Sequence, residues 1–325
     1  MTDDYAIDPR LPPAIPRDGR GAVVTVGTFD GVHRGHRDVL RTIVERAQAT
    51  GRRSILVTFH PHPLRIVRPE AAPQLLTTTA EKKEFLAESG VEYAVFLPFT
   101  PTLQKYPARR FVEEILLGRL GMRELVIGYD HGFGKDREGG VETMRELGEE
   151  HDFRVDVVGA VRMYEDAISS TRIRRALVAG DVVAAAEALG RPYSLRGPVV
   201  HGAGRGRDLG FPTANLQVGD SEKLLPREGI YAVYGWVGGT RVPGLLHLGP
   251  RPTFQGYPPS IELHLLDWQG DLYGTEVRVE FCARLRDILP FSSAAELVEQ
   301  MKQDAAAGRA VFRGEGPLSA CADSS

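Results

Sequence analysis

The chain has 325 residues, of which 42% are hydrophobic and 26% charged, and its formal net charge is −3. This length is about twice that of a common domain, so we expect two hydrophobic cores. The composition is typical of a soluble globular protein, and the charge offers no basic excess that would favour nucleic acid as a partner.

The cysteines and the two chain ends constrain where the protein works. Cys282 and Cys321 are too few for a disulfide framework or a Cys-rich metal site, which fits a reducing compartment. No apolar run approaches the ~20 residues of a membrane helix, and the acidic, proline-rich start MTDDYAIDPRLPP lacks the features of a signal peptide. We therefore expect a cytoplasmic protein with no membrane partner, in which the first ~20 and last ~10 residues do not pack.

The first half of the chain, residues 20–190, alternates short apolar runs with longer segments of helical period. The runs AVVTV, SILVTF, YAVFLPF, ELVIG and RVDVV predict strands. Helices are predicted where apolar residues recur at helical spacing before glycine, at Val39, Leu40, Ile43, Val44 and Ala47 before Gly51, and at Phe111, Val112, Ile115 and Leu116 before Gly118 and Gly121. Right-handed crossovers of this kind build a doubly wound α/β domain with a parallel sheet, whose ligands bind at the carboxyl ends of the strands.

The second half, residues 191–312, changes to strand-like runs separated by Gly, Pro and Asp. The runs GIYAVYGWV, RVPGLLHL, IELHLLDW and EVRVEFCARL predict an antiparallel β-barrel or sandwich. WQGDLYG is typical of a hairpin turn between the last two runs, and SAAELVEQMKQDAAA predicts a closing helix that begins at Ser293. We place the domain boundary near Pro192.

The segment GTFDGVHRGH, residues 27–36, joins the first predicted strand to the first predicted helix. A strand, a glycine-containing turn and a helix start together favour an anion, because the free amide groups of the first helical turn point outward. Gly27, Gly31 and Gly35 would let the backbone approach a phosphate closely.

Two histidines lie three residues apart at the start of that helix. His33 and His36 would share one face of the first turn, where ring N–H groups can donate to phosphate oxygens. Two alternatives stay open on the residues alone. The pair could be solvated, or it could bind zinc with a third ligand from the HPHP segment, His60 or His62.

The motifs in this order resemble a known family. GTFDGVHRGH is similar to the first signature of the HxGH nucleotidylyltransferases. FHPHPLRIV, LTTTAEKKEFL, VIGYDHGFGKDREGG and ISSTRIRRAL then follow in the order found in bacterial bifunctional riboflavin kinase/FAD synthetases, and VVHGAGRGRDLGFPTANL resembles the riboflavin kinase signature. The resemblance spans nearly the whole chain.

For residues 20–190 the resemblance implies a Rossmann-like nucleotidylyltransferase domain that transfers the adenylyl group of ATP to FMN. The attacking FMN phosphate is already an anion, so catalysis needs positioning and charge stabilisation rather than a strong base. His33 and His36 would supply that stabilisation as catalytic residues. The implied nucleotide-binding residues are Gly27, Phe29, Asp30, Gly31, Gly35, Asp130, Ser170, Thr171 and Arg174.

For residues 191–312 the resemblance implies an all-β barrel riboflavin kinase domain with a C-terminal helix. Glu262 would accept the proton of the riboflavin hydroxyl as it attacks ATP, while Thr213 and Asn215 would hold Mg²⁺. A glycine flap over the phosphates and a flavin-side arginine complete the implied site, at Gly202, Gly204, Gly206 and Arg251. On the residues alone, a glycine-rich hairpin loop and a solvated glutamate on an alternating strand stay open.

We therefore expect a transferase that uses ATP and Mg²⁺ to convert riboflavin to FMN, and FMN to FAD with release of pyrophosphate. Its partners would be flavins and ATP, without nucleic acid or membrane. One rival is a kinase whose first domain has lost its chemistry, and another is a flavin-binding module without turnover. Thr28, His131 and His247 depart from residues common in the family.

Overall fold

The computed structural model describes residues 15, 18–128, 138–159, 162–163, 166–201, 211–250, 260–315 and 319–321. The chain forms two compact units, Met1–Ile168 and Ser169–Ser325. Residues 169–190 thus fall in the second unit, and the boundary near Pro192 stays a prediction. Within the described ranges no helix combines the length and the apolar character that crossing a membrane requires.

The first unit is built on a sheet of parallel strands. They are β1 (Ala22–Val26), β2 (Arg53–His60), β3 (Tyr93–Pro98), β4 (Met122–Gly128) and β5 (Arg154–Val158), in the spatial order β3-β2-β1-β4-β5. The order runs outward in both directions from the fully buried β1. Such a reversal opens a crevice at the carboxyl ends of the strands, beside β1. The predicted doubly wound α/β fold is confirmed.

Helices cover this sheet. They are α1 (Arg34–Thr50), α2 (Leu64–Val67), a 3₁₀ turn (Pro69–Ala71), α3 (Thr79–Ala87), α4 (Pro101–Gln104), α5 (Ala108–Arg110), a π-helical segment (Phe111–Leu117) and α6 (Val141–His151). A short ladder, β6 (Arg162–Met163) with β7 (Asp166–Ala167), ends the unit. In the predicted apolar stripe of α1, Val44 is half-buried and the other four residues are buried. Gly51 ends the helix in the left-handed conformation at φ 64°.

The second unit opens with α7 (Ser170–Ala179) and α8 (Val182–Leu189). Its strands are β8 (Ser194–Val200), β9 (Ala214–Leu216), β10 (Gly229–Val237), β11 (Thr240–Gly249), β12 (Ser260–Leu265) and β13 (Glu276–Arg286). They close into a barrel in the order β10-β11-β12-β9-β8-β13, so the barrel alternative is the correct one. The final helix, α9 (Ala294–Phe312), begins after Ser293, which caps it as predicted.

The prediction of a hairpin at WQGDLYG is wrong. β12 pairs with β11 and β9, whereas β13 pairs with β10 and β8. The pair β8 and β9 therefore lies between the two strands that the turn connects. The approach of β8 to the residue after β9 requires a glycine at position 197, because a Cβ there would lie 2.0 Å from the carbonyl oxygen of Gln217.

The prediction that the two chain ends do not pack is wrong for Ile15, which lies in the core of the first unit, and for residues 319–321. Cys321 forms a disulfide bond with Cys282 on β13, and their Cα atoms are 4.8 Å apart. The Ala320 N–H also donates to the Cys282 carbonyl oxygen at 2.7 Å. Small neighbours on the barrel, Ala232 and Ala283, leave room for both sulfur atoms in one buried cluster.

An ion pair fixes α9 to the barrel. The Asp304 carboxylate accepts hydrogen bonds from Nε and Nη2 of Arg286 at 2.7 and 2.6 Å, and a further one from Gln300 at 3.0 Å. The Asp304 side chain is 8% exposed and that of Arg286 is 19% exposed. A two-point pair at such a site is stronger and more specific in geometry than a surface ion pair.

Asp304→Ala would leave the Arg286 charge uncompensated, and we expect the free energy of unfolding of the second unit to fall by about 3 kcal/mol. Both tryptophans of the chain, Trp236 and Trp268, lie in this unit, so urea unfolding followed by tryptophan fluorescence reports on it. Glu299→Ala, on the exposed side of the same helix, is the control and should cost about 0.5 kcal/mol or less. Equal losses for the two variants would show that α9 docks without this ion pair.

Candidate functional site

The loop between β1 and α1 carries the GTFDGVHRGH segment to the carboxyl end of the central strand. Phe29, Gly31 and Val32 all have positive φ angles, of 47°, 84° and 40°. This conformation is uncommon for phenylalanine and a genuine outlier for β-branched valine. The Val32 N–H donates to the Phe29 carbonyl oxygen at 3.2 Å, which closes the turn. Strained backbone of this kind persists where the surrounding structure holds it, and it is concentrated at functional sites.

Asp30 holds this loop against the segment before α3. Its carboxylate is 1% exposed and accepts hydrogen bonds from the N–H of Leu76 at 3.0 Å, the N–H of Thr77 at 3.1 Å and the Thr77 hydroxyl at 3.1 Å. The same hydroxyl accepts from the Gly31 N–H at 3.1 Å. A buried carboxylate needs such donors. The described contacts of Asp30 thus position the loop.

The two histidines form one stacked unit at the start of α1. His33 is the N-cap, and its Nδ1 accepts a hydrogen bond from the His36 N–H at 3.3 Å. The ring centroids are 3.6 Å apart and the planes differ by 15°, while the Phe29 ring lies 4.6 Å from that of His36. A neutral imidazole that accepts through Nδ1 carries its proton on Nε2. His33 therefore offers a donor beside the positive end of the helix dipole.

Gly35 makes this stack possible. A Cβ at position 35 would lie 3.3 Å from two atoms of the His33 ring, closer than an ordinary contact. A side chain at this position would require the His33 ring to shift by a few tenths of an ångström.

Among the described residues, no third side chain lies close enough to bind a zinc ion together with His33 and His36. Nδ1 of His60 shares a hydrogen bond with the Thr79 hydroxyl at 3.1 Å, and Nδ1 of His62 accepts from the Leu64 N–H at 3.2 Å. In the described part of the chain, the group of three potential ligands close enough to share an ion lies elsewhere, at Glu113, Glu150 and His151. Arg109 already forms ion pairs with Glu113 and Glu150, so we interpret this cluster as a surface ion-pair network.

Three site residues that the sequence analysis missed support the loop from β2 and the α3 region. They are Thr58, Thr77 and Lys82, whose side chains bond to Thr28, Asp30 or Gly31. One sequence signal marks this region, because Thr78 and Glu81 form a capping box that starts α3. A capping box predicts the helix start, but it does not predict which distant loop the helix supports.

Ser170, Thr171 and Arg174 lie in the first turns of α7, as predicted. The N-cap is Ser169, whose hydroxyl accepts a hydrogen bond from the Arg172 N–H at 3.3 Å. Ser170 and Arg174 are half-buried and Thr171 is exposed. Hydroxyls and a guanidinium at a helix start suit phosphate oxygens.

A row of polar residues crosses three neighbouring strands of the barrel. Glu262 on β12 lies opposite Asn215 on β9 and opposite His247 on β11. Directly opposed residues share one face of a sheet, and all three side chains are half-buried. Ile261 and Leu263 alternate with Glu262 and are buried on the other face. The structure thus brings together a carboxylate and an amide that are 47 positions apart in the sequence.

Thr213 lies two residues before Asn215, in the segment that leads into β9. In the preceding residue, the carbonyl oxygen of Pro212 accepts a hydrogen bond from Nδ1 of His264 at 2.8 Å. This contact fixes the segment to β12, the strand that carries Glu262. Thr213 is therefore held next to the polar row.

Five predicted site residues lie outside the described residues, namely Asp130, Gly202, Gly204, Gly206 and Arg251, as does the departure at His131. Their proposed roles stay predictions.

Comparisons with known proteins match both units. The FAD synthetase family model matches residues 15–172, and the riboflavin kinase family model matches residues 189–312. A bifunctional riboflavin kinase/FMN adenylyltransferase of Pseudomonas fluorescens is 38% identical over 293 residues, which cover 90% of this chain and 93% of the relative. The protein of that name from Escherichia coli K12 is 36% identical over 295 residues, with the same coverage.

A solved structure is similar over nearly the whole chain. A crystal structure from Streptococcus pneumoniae, described as a macrolide-efflux protein, superposes with a TM-score of 0.82 at 31% identity, covering 91% of this chain and 95% of the other. The likeness extends through both the parallel-sheet unit and the barrel unit.

Thr77→Val would remove the hydroxyl that bridges Asp30 and Gly31, and we expect the loop to open more readily by about 1–3 kcal/mol. Hydrogen exchange of peptides covering residues 27–36 and 72–80 measures this opening. Thr77→Ser should restore protection because it keeps the hydroxyl. The control is Thr79→Val, which removes a more exposed hydrogen bond to His60 and should leave residues 27–36 unchanged. Unchanged exchange in Thr77→Val would show that the bridge does not hold the loop.

Proposed function

The chain belongs to the family of bifunctional riboflavin kinase/FMN adenylyltransferases, and on that basis we propose how its residues divide the two reactions. The chain is a transferase of flavin cofactor biosynthesis. The barrel unit phosphorylates riboflavin to FMN with ATP, and the parallel-sheet unit adenylylates FMN to FAD with a second ATP. One observation carries the adenylyl assignment: His33 and His36 stack at the N-terminus of α1, at the carboxyl end of the central strand.

In the adenylyl step, a phosphate oxygen of FMN attacks the α-phosphorus of ATP. The bond from that phosphorus to the bridging oxygen of the β-phosphate breaks, and pyrophosphate leaves with the electron pair. The nucleophile is already an anion, so no proton has to be removed from it. The Nε2–H of His33 and the ring of His36 donate to phosphate oxygens as negative charge moves to the leaving group. The family resemblance also assigns phosphate contacts to Ser170, Thr171 and Arg174 at the start of α7, and their role stays a proposal.

In the kinase step, the terminal ribityl hydroxyl of riboflavin attacks the γ-phosphorus of ATP and ADP leaves. This nucleophile is neutral, so its proton must go to a base. We assign that role to the Glu262 carboxylate. Its place on β12, between Asn215 and His247 in the strand register, makes its position rigid. The kinase step therefore requires a general base, whereas the adenylyl step does not.

Mg²⁺ fits the donors beside Glu262. The hydroxyl of Thr213 and the amide oxygen of Asn215 are hard oxygen ligands of the kind that Mg²⁺ prefers, and phosphates usually supply others. When bound, the ion neutralises charge on the phosphates. Asn215 and Thr213 would orient the nucleotide so that its γ-phosphorus faces the hydroxyl that Glu262 deprotonates.

We also propose the partners and the cellular location of the enzyme. Flavins and ATP as partners, and a cytoplasmic location, follow from the activity together with the charge and composition of the chain. The Cys282–Cys321 bond argues against a cytoplasmic location, because a reducing compartment would keep this pair as thiols. Counting free thiols in protein purified under native, thiol-free conditions would test this point.

The experiment that tests the function follows FMN and FAD by chromatography after riboflavin, ATP and Mg²⁺ are added to the purified chain. We expect FMN to appear first and FAD after it. FMN without FAD, even when FMN is supplied directly, would identify a kinase whose first unit is inactive. Tight flavin binding with neither product would identify a binding module.

Glu262→Gln should lower FMN formation by about 10²–10⁴-fold, because the amide cannot accept the hydroxyl proton. FAD formation from supplied FMN should stay unchanged. Glu276→Gln, an exposed position on β13 of the same barrel, is the matched control and should keep both activities. Loss of both activities in Glu262→Gln would contradict two independent sites.

His36→Ala should have the opposite effect, with FAD formation reduced by about 10²–10³-fold and FMN formation unchanged. The substitution removes a phosphate donor and the stacking partner that holds the His33 ring. His151→Ala, at the end of α6, is the control. An unchanged adenylyl rate in His36→Ala would mean that the pair is structural.

A further inference from the structure

A buried lysine supports the β1–α1 loop from outside its own sequence segment. Lys82 on α3 is 9% exposed, and its Nζ donates a hydrogen bond to the Thr28 carbonyl oxygen at 2.8 Å. The same oxygen accepts from the Thr58 hydroxyl on β2 at 3.0 Å. Both lone pairs of this carbonyl are therefore used by side chains of the protein.

This contact fixes the direction of a backbone N–H group. In a planar trans peptide, the N–H of one residue points opposite to the C=O of the residue before it. Because the Thr28 carbonyl points toward Lys82 and Thr58, the Phe29 N–H points away from them. Within the described residues, no hydrogen bond uses the Phe29 N–H. Among the described contacts, this donor therefore has no acceptor, and it lies on the opposite side of the peptide from Lys82 and Thr58.

Lys82 also balances a buried negative charge. Burial lowers the pKa of Lys82, and the attraction of Asp30 opposes that shift. A triphosphate carries several negative charges, and an uncompensated Asp30 carboxylate beneath the loop would repel it. The ammonium group removes that repulsion without exposing itself to solvent.

We infer that Lys82 is a positioning residue for adenylyl transfer, which turns the Thr28 carbonyl away from the nucleotide so that the Phe29 N–H faces the phosphates of ATP. The inference rests on the proposed adenylyl function of the first unit. Lys82 itself does not touch the reacting atoms. Its contact is with a backbone oxygen, so it does not depend on which side chain occupies position 28.

The test compares Lys82→Met with Lys83→Met in the full-length chain. Lys83 is the next residue, exposed on the same helix, with its ammonium 5.5 Å from the centre of the Phe96 ring. In Lys82→Met we expect the KM for ATP in FMN-to-FAD conversion to rise about tenfold and kcat/KM to fall about 100-fold. The KM for FMN should change less than twofold. Lys83→Met should match the wild type.

Two further measurements separate positioning from folding. Lys82→Arg keeps a charge that can donate to the same carbonyl, and it should recover about tenfold of the lost kcat/KM. Hydrogen exchange of β1 and β4 should be as slow in Lys82→Met as in the wild type. Riboflavin phosphorylation, which belongs to the other unit, should be unchanged in every variant.

Each contrary result overturns the inference in a distinct way. A KM for ATP within twofold of the wild type in Lys82→Met would show that the loop is positioned without this lysine. Fast exchange of β1 together with no recovery by arginine would assign Lys82 to folding alone. A wild-type chain that makes FMN but no FAD would remove the adenylyl function itself, before any variant is compared.

Discussion

The first unit depends on one buried carboxylate. Asp30 lies under the β1–α1 loop with almost no exposure, and its oxygens are occupied by donors from Leu76 and Thr77. A charge buried in this way is tolerated only if the donors are held in place, and here they belong to a segment more than forty residues further along the chain. The strained turn, the histidine stack and the start of α1 all rest on this anchor. Sheet topology brings the loop to the crevice, and Asp30 gives it one conformation.

The second unit depends on strand register instead of a buried charge. Barrel closure places β9 beside β12, and this pairing alone sets Asn215 opposite Glu262. In the proposed mechanisms, the two units would build their phosphate chemistry differently. The first would use backbone amides, ring N–H groups and a helix dipole, which suits a nucleophile that is already charged. The second would use a rigid carboxylate, which suits a hydroxyl that must lose its proton.

Local sequence patterns predicted the strands of the parallel sheet and several helices. The predictions that failed depended on contacts between residues far apart in the sequence. The apolar runs of the first half predicted every strand of the parallel sheet. The inner strands β1, β2 and β4 are mainly buried, and the edge strands β3 and β5 are mostly half-buried. The prediction of a hairpin at WQGDLYG was wrong because β12 pairs with β9 and β13 pairs with β8. The residues near Trp268 contain no information about these distant strands. His33 and His36 were found because they are close in sequence. Thr77 and Lys82 were missed because their partners lie 46 and 54 positions away.

The alternation along β12 couples the length of that strand to its chemistry. Glu262 lies between Ile261 and Leu263, whose side chains fill the opposite face. Deleting one residue from the strand would turn the carboxylate into the apolar interior and bring a leucine or isoleucine to its former place. Loss of the core and loss of the proposed proton acceptor would therefore occur together. Only a change of two residues would keep this alternation, so the barrel constrains the length of the strand that carries Glu262.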